Sequence, residues 1–149
     1  STENVFANPV NTFVASFIGS PAMSLVPLEI ADTGGEVSLV SSEGWELKLS
    51  PANAAKARSS SSRKVVLGAR HSTIKLHKSA VAGAVPTKIY TVEPTGDITF
   101  AQVHMGGSIV IISVEPRVRL SPDEQVWIEF DQNRMHLFDG DTQIALKAA

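Results

Sequence analysis

Beyond Met23 the sequence takes on a two-residue rhythm of apolar and polar positions, broken at short intervals by turn residues. That rhythm limits the chain to strands, because alternate side chains of a strand point to opposite faces. Ser24–Ile30 reads as a strand. Glu36–Val40 and Trp45–Leu49 flank Ser41-Ser42-Glu43-Gly44 and read as a hairpin. Lys64–Leu67 stops at Gly68, Thr87–Val92 ends at Pro94-Thr95-Gly96, and Ile98–His104 turns through Gly106-Gly107 into Ser108–Val114. Ile74–Lys78 and Ala80–Ala84 fit more than one state. Within Ile98–His104, Thr99, Ala101 and Val103 share one face. In Gln125–Phe130 the alternation places Val126, Ile128 and Phe130 inward and Trp127 outward. Met135–Phe138 and Gln143–Leu146 close the series across Asp139-Gly140-Asp141, a turn expected to be left-handed at Gly140. Nine or ten short strands with one helix predict an all-β barrel, whose closure removes exposed edges.

The helix is expected near the start. Asn8 suits an N-cap and Pro9 a first helical position. Val10, Phe13, Val14, Phe17 and Ile18 form an apolar stripe, which must dock on something because so short a helix does not hold alone. Gly19 and Pro21 end it. Ala52–Arg63, with Ser59–Ser62 between basic residues, reads as an exposed, mobile loop.

At 149 residues and 43% hydrophobic, the chain can bury a core. It begins at Ser1 without an initiator Met, so a piece of a longer protein is expected. No secretion-signal pattern and no run of roughly 18 apolar residues is present, so the chain is not expected to cross a membrane. The absence of cysteine excludes disulfides, thiolate zinc sites and a cysteine nucleophile. The charges are segregated. Residues 1–46 carry six acids and no Lys or Arg, residues 47–92 nine bases and no acid, and residues 93–149 nine acids and four bases. Either the middle block forms an anion- or partner-binding face, or the fold interleaves it with the acids.

No glycine precedes a lysine, so the phosphate-cradling Gly-x-x-x-x-Gly-Lys loop is missing. Neither Gly-x-Gly-x-x-Gly nor Gly-x-Ser-x-Gly occurs. His71, His77, His104 and His136 have no metal-ligand spacing, and His104 and His136 read as structural hydrogen-bonding residues. No catalytic, cofactor or metal residue is assigned, and the chain is not expected to be an enzyme by itself. The basic block has aromatics only at its ends, Trp45 and Tyr90, which argues against single-strand nucleic-acid stacking.

Three segments together carry a family resemblance. Asn8-Pro9-x-Asn11-x-Phe13-Val14-Ala15-x-Phe17-Ile18-Gly19-Ser20-Pro21-Ala22-Met23 resembles the segment leaving the nucleotide-binding domain in carbohydrate-importer ATPase subunits of the maltose, multiple-sugar and glycerol-phosphate type. Val66-Leu67-Gly68-Ala69-Arg70 resembles the family's Leu-Gly-x-Arg-Pro-Glu strand, with His71-Ser72 in place of Pro-Glu. Val92-Glu93-Pro94-Thr95-Gly96, Phe130-Asp131 and His136-Leu137-Phe138-Asp139 resemble its closing motifs. The resemblance implies a linker helix over residues 1–23 and, over 24–149, a regulatory β-barrel of the transport-associated OB (TOBE, or MOP-like) type, made of two intertwined lobes. It further implies dimerisation with a second copy and contact with the subunit's own nucleotide-binding domain. Importer membrane subunits would be reached through the parent, at the cytoplasmic side of the bacterial inner membrane. A regulator protein or a small anion is a further implied partner. ATP and Mg would belong to the parent subunit, and no cofactor to this chain. The family-motif and interface candidates are Phe13, Phe17, Gly19, Ser20, Pro21, Met23, Gly68, Arg70, Glu93, Gly96, Trp127, His136, Phe138 and Asp139. Besides a dimerising regulatory module, the sequence leaves open an anion or sugar-phosphate sensor and a nucleic-acid-binding OB barrel.

Overall fold

A computed structural model describes residues 8–17 and 21–147, with only the backbone of Phe17. Among them are ten strands: β1 Ser24–Thr33, β2 Glu36–Val40, β3 Glu46–Lys48, β4 Lys64–Ala69, β5 Ile74–His77, β6 Val85–Pro94, β7 Thr99–Met105, β8 Ser108–Val114, β9 Gln125–Phe130 and β10 His136–Asp139. They form two five-stranded antiparallel sheets, ordered β10-β4-β1-β2-β3 and β5-β9-β6-β7-β8. The chain completes most of the first sheet, builds the second, and returns β10 to the edge of β4. The two lobes are therefore intertwined, as expected.

The inward positions read from the alternation hold. Val126, Ile128 and Phe130 are buried, as are Thr99, Ala101 and Val103. With Leu39, Leu67 and Ile112 they belong to the core, each large side chain contributing about 1.5–3 kcal/mol on burial. Pro27, which has no N–H to donate, lies in the half of β1 that only β4 pairs; pairing with β2 begins at Glu29. The Ile111 N–H donates to Ser24 Oγ at 2.9 Å and ties β8 to β1.

Several expectations require correction. Pro51–Arg58 is a helix, α2, not part of a mobile loop. Ser50 Oγ accepts the Asn53 N–H at 3.2 Å, Pro51 opens the first turn, and Asn53, Ala54 and Ala57 are buried. The Asn53 amide donates to the Gln132 carbonyl at 2.7 Å and to its side-chain oxygen at 2.8 Å, pinning α2 to the turn after β9. The first helix, α1, runs Thr12–Phe17, and Asn11 rather than Asn8 caps it, its Oδ1 accepting the Val14 N–H at 2.9 Å. Its buried side carries Thr12 and Ala15, while Val10 and Phe13 are 62% and 71% exposed. Small side chains let the helix sit close to the sheet, and Phe13 turns outward. Ile18, Gly19 and Ser20 lie outside the described residues. β4 continues through Gly68 to Ala69. The expected last strand, Gln143–Leu146, is instead two isolated bridges, Asn11 with Ile144 and Phe138 with Ala145.

Candidate functional site

The three motif segments that lie far apart in sequence meet at the foot of α1. Met23, Phe138 and Ala15 form a small buried cluster beside the main core. Gly68 makes the meeting possible. A β-carbon there would lie 2.6 Å from Met23 Sδ and 2.9 Å from Phe138 Cε2. Phe138 is wholly buried, so it supports the fold instead of presenting a contact surface. Pro21, half-buried, precedes this cluster.

Asp139 is also buried and organises the neighbouring turns. Its Oδ2 accepts the Ser61 N–H at 2.8 Å and the Ser61 hydroxyl at 2.6 Å, and its Oδ1 accepts the Asp141 N–H at 2.8 Å. These bonds, the Ser61 hydroxyl foremost, hold its carboxyl well below the usual carboxylate range. They also anchor the serine run that the sequence suggested was mobile. Gly140 is not left-handed. Glycine is required there by closeness: a β-carbon would lie 2.5 Å from Lys64 Cβ and 2.6 Å from the Lys64 carbonyl carbon. The Gly140 N–H donates to that carbonyl oxygen at 2.7 Å.

Beside this cluster lie three basic groups. Burial, followed by the positive charges of Lys56 and Arg70, pushes His136 below its ordinary value. Burial and Arg70 do the same to His71, whose Nδ1 is 2.9 Å from Ser113 Oγ and whose ring meets Phe100 edge-on at 5.2 Å. Burial also lowers Arg70. His71 thus has its own partners at the position where the resemblance leads one to expect Pro.

The remaining candidates lie on the second sheet. Glu93 is exposed near the end of β6, and Gly96, with φ +98°, turns the chain from β6 to β7. Trp127 is half-buried, opposite His77 on one side and Pro86 on the other. The segregated charges are interleaved in part: Lys48 pairs with Glu36 at 3.1 Å, Arg58 with Asp32 at 3.3 Å and Lys78 with Glu124 at 3.0 Å. Among the described residues no group of three or more His, Asp or Glu is placed to hold a metal, and no helix is long and apolar enough to cross a membrane.

Two surface features escaped the sequence. The first is a set of exposed apolar side chains, Val10, Phe13 and Ile144 (58% exposed), on the segments joined by the bridge from Asn11 to Ile144. An open groove of about 440 Å³ is lined by Phe13, Ser16, Leu25 and Pro27. The second is a groove of about 490 Å³ bordered by Trp45, Tyr90, His104 and Asp123. The β6–β7 register shifts between Ile89 and Thr91, beside this groove, and period-two alternation gives no sign of such a shift.

Two interlocked five-stranded sheets with two short helices define a small OB-type β-barrel fold. Residues 19–70 match the MalK OB fold domain and residues 79–137 the TOBE domain, so each of these two segments carries its own domain family. The chain is 33% identical over 138 residues to the uncharacterized ABC transporter ATP-binding protein y4oS of Sinorhizobium fredii, covering 93% of this chain and 35% of that protein. It is also 33% identical to the sn-glycerol-3-phosphate import ATP-binding protein UgpC of Escherichia coli, covering 93% of this chain and 37% of UgpC. The chain thus spans little more than a third of the length of these relatives. The cytoplasmic molybdate-binding protein ModG, solved with molybdate bound, shares the fold at TM-score 0.60 and 14% identity, over 76% of this chain and 93% of ModG.

Proposed function

We propose that this chain is the regulatory and dimerising portion of the ATP-binding subunit of a bacterial importer for a sugar or a sugar-like phosphate ester. The similarity to ATP-binding subunits along 93% of the chain carries this reading. In it, residues 1–23 link an ATPase domain to the barrel, and ATP hydrolysis resides in that other domain. The subunit works at the cytoplasmic face of the membrane with the importer's membrane subunits. The surface carrying Val10, Phe13 and Ile144 is the one through which the barrel engages the rest of such an assembly: large apolar side chains turned to water gain by being covered.

The test compares the chain with its Phe13→Asp variant by light scattering at high concentration. Phe13 is 71% exposed, so the substitution should cost less than about 0.5 kcal/mol of stability. The chain should self-associate and the variant should not. A chain that stays monomeric at high concentration refutes dimerisation through this domain.

A second reading, an anion sensor, is favoured by the Lys56 and Arg70 charges around His136. A thermal-shift series with phosphate, sulfate and glycerol phosphate tests it, since binding to the folded state raises stability. No shift at millimolar anion counts against it.

A further inference from the structure

The groove bordered by Trp45 and Tyr90 has the features of a built site. β6 exchanges partners along its length, pairing with β9 over Val85–Lys88 and with β7 from Ile89 onward. At the exchange point the register slips by one residue, and Tyr90 is the residue left over. It stands 52% exposed, its ring 4.4 Å from that of His104 in an edge-to-face pair. An exposed tyrosine held in place by a second ring is a preformed platform. Across the groove the Trp45 indole is fixed as well. Its N–H donates to Glu43 Oε1 at 3.1 Å, and the same oxygen accepts the Gly106 N–H at 2.7 Å. Asp123 completes the border with φ 68°, a left-handed conformation that a non-glycine residue adopts at a cost. Two bonds hold it there: the Asp123 N–H donates to the Ile89 carbonyl at 2.8 Å, and the Ile89 N–H donates to the Glu124 carbonyl at 2.9 Å. Bulge and strained aspartate are therefore one device, and both shape the same groove.

The chemistry of the border selects the ligand class. Glu43 and Asp123 contribute two carboxylates and Lys88 one ammonium. That balance opposes a phosphate or other anion, while the ammonium opposes a purely cationic guest. A neutral molecule with many hydroxyls suits it best: carboxylates accept and the ammonium donates, while C–H faces lie on the rings. At about 490 Å³ the groove is within the size range of small-molecule sites. We infer that the groove between Trp45 and Tyr90 binds a neutral saccharide ring.

This site is independent of the importer reading, because its test uses neither ATP hydrolysis nor transport, so either can fail while the other stands. In a Trp127→Phe background, Trp45 is the sole indole reporter. Its fluorescence is titrated with glucose, galactose, mannose and sucrose, and in parallel with choline chloride and glycerol 3-phosphate. A saturable change with at least one neutral sugar is expected, at a Kd of roughly millimolar strength. Tyr90→Ala should weaken it about tenfold or more, the loss of one stacking face. Asp123→Asn should weaken it while leaving Tm unchanged, since asparagine tolerates the left-handed conformation. The absence of saturation with every sugar, equal binding by both variants, or tighter binding of choline or the phosphate ester overturns the assignment.

Discussion

Gly68→Ala should destabilise the domain through one contact whose size follows from the geometry. The new methyl carbon would lie 2.6 Å from Met23 Sδ and 2.9 Å from Phe138 Cε2, with Leu25 Cδ2 at 3.4 Å. Both of the first two distances are well inside van der Waals contact. Met23 is 4% exposed and Phe138 fully buried, so neither can swing into water. Overpacking of this kind costs about 1–3 kcal/mol. For a chain of this length that is a fall in Tm of about 3–9 °C, at about 3 °C per kcal/mol. The assay is thermal unfolding followed by far-UV circular dichroism, in a double-mutant cycle with Met23→Ala. Met23→Ala alone should cost about 2–5 kcal/mol for its lost packing. With the sulfur gone, the nearer of the two clashes is removed and only that with Phe138 remains, so adding Gly68→Ala should cost less than it does in the wild type by about 1 kcal/mol. An unchanged Tm for Gly68→Ala, or equal losses in both backgrounds, would refute the view that Gly68 exists to admit Met23 and Phe138.

Gly140→Ala should cost more than Gly68→Ala, about 3 kcal/mol, because the obstructing atoms include the Lys64 backbone, which cannot rotate away; urea midpoints of the two variants decide the order. The Asp139 carboxyl is held below its ordinary 3.8 in the folded state, so its stabilisation is complete above that value and fades as pH falls below it. Asp139→Asn should be less stable than wild type at pH 7, and the gap should narrow between pH 4 and pH 2 in denaturant titrations. His136 is held below its ordinary 6.5, so unfolding takes up a proton there and stability should decline as pH falls through and below 6.5. His136→Gln should flatten that slope between pH 7 and pH 5, leaving the part due to His71.

The strands were legible wherever one face is core and the other solvent. Gln125–Phe130 and Ser108–Val114 match their expected bounds, and the inward residues of Gln125–Phe130 follow from alternation alone. The helices were harder for a physical reason. α2 has no apolar stripe to detect; it rests on a serine cap, a proline and small residues that fit closely. In α1 the buried side chains among the described residues are Thr12 and Ala15, while Phe13 of the expected stripe faces out and Val14 is half-buried. The motif residues divide in the same way. Sequence identified Met23, Gly68 and Phe138 separately, and only the fold shows them as one contact set. The Tyr90 groove was hidden because it depends on a single-residue slip in pairing and on one left-handed aspartate.

The return of β10 to β4 has a consequence for how the molecule could be divided. Residues 79–83, between β5 and β6, are exposed. A cut there separates β1–β5 from β6–β10, yet neither piece owns a complete sheet. The first piece contributes β5 to its neighbour's sheet, and the second contributes β10 in exchange. The two halves stand to each other as reciprocal donors, so a nicked molecule should stay assembled. Two intact copies could trade the same halves through a straightened 79–83 hinge, forming a swapped pair with no contact that the monomer does not already contain.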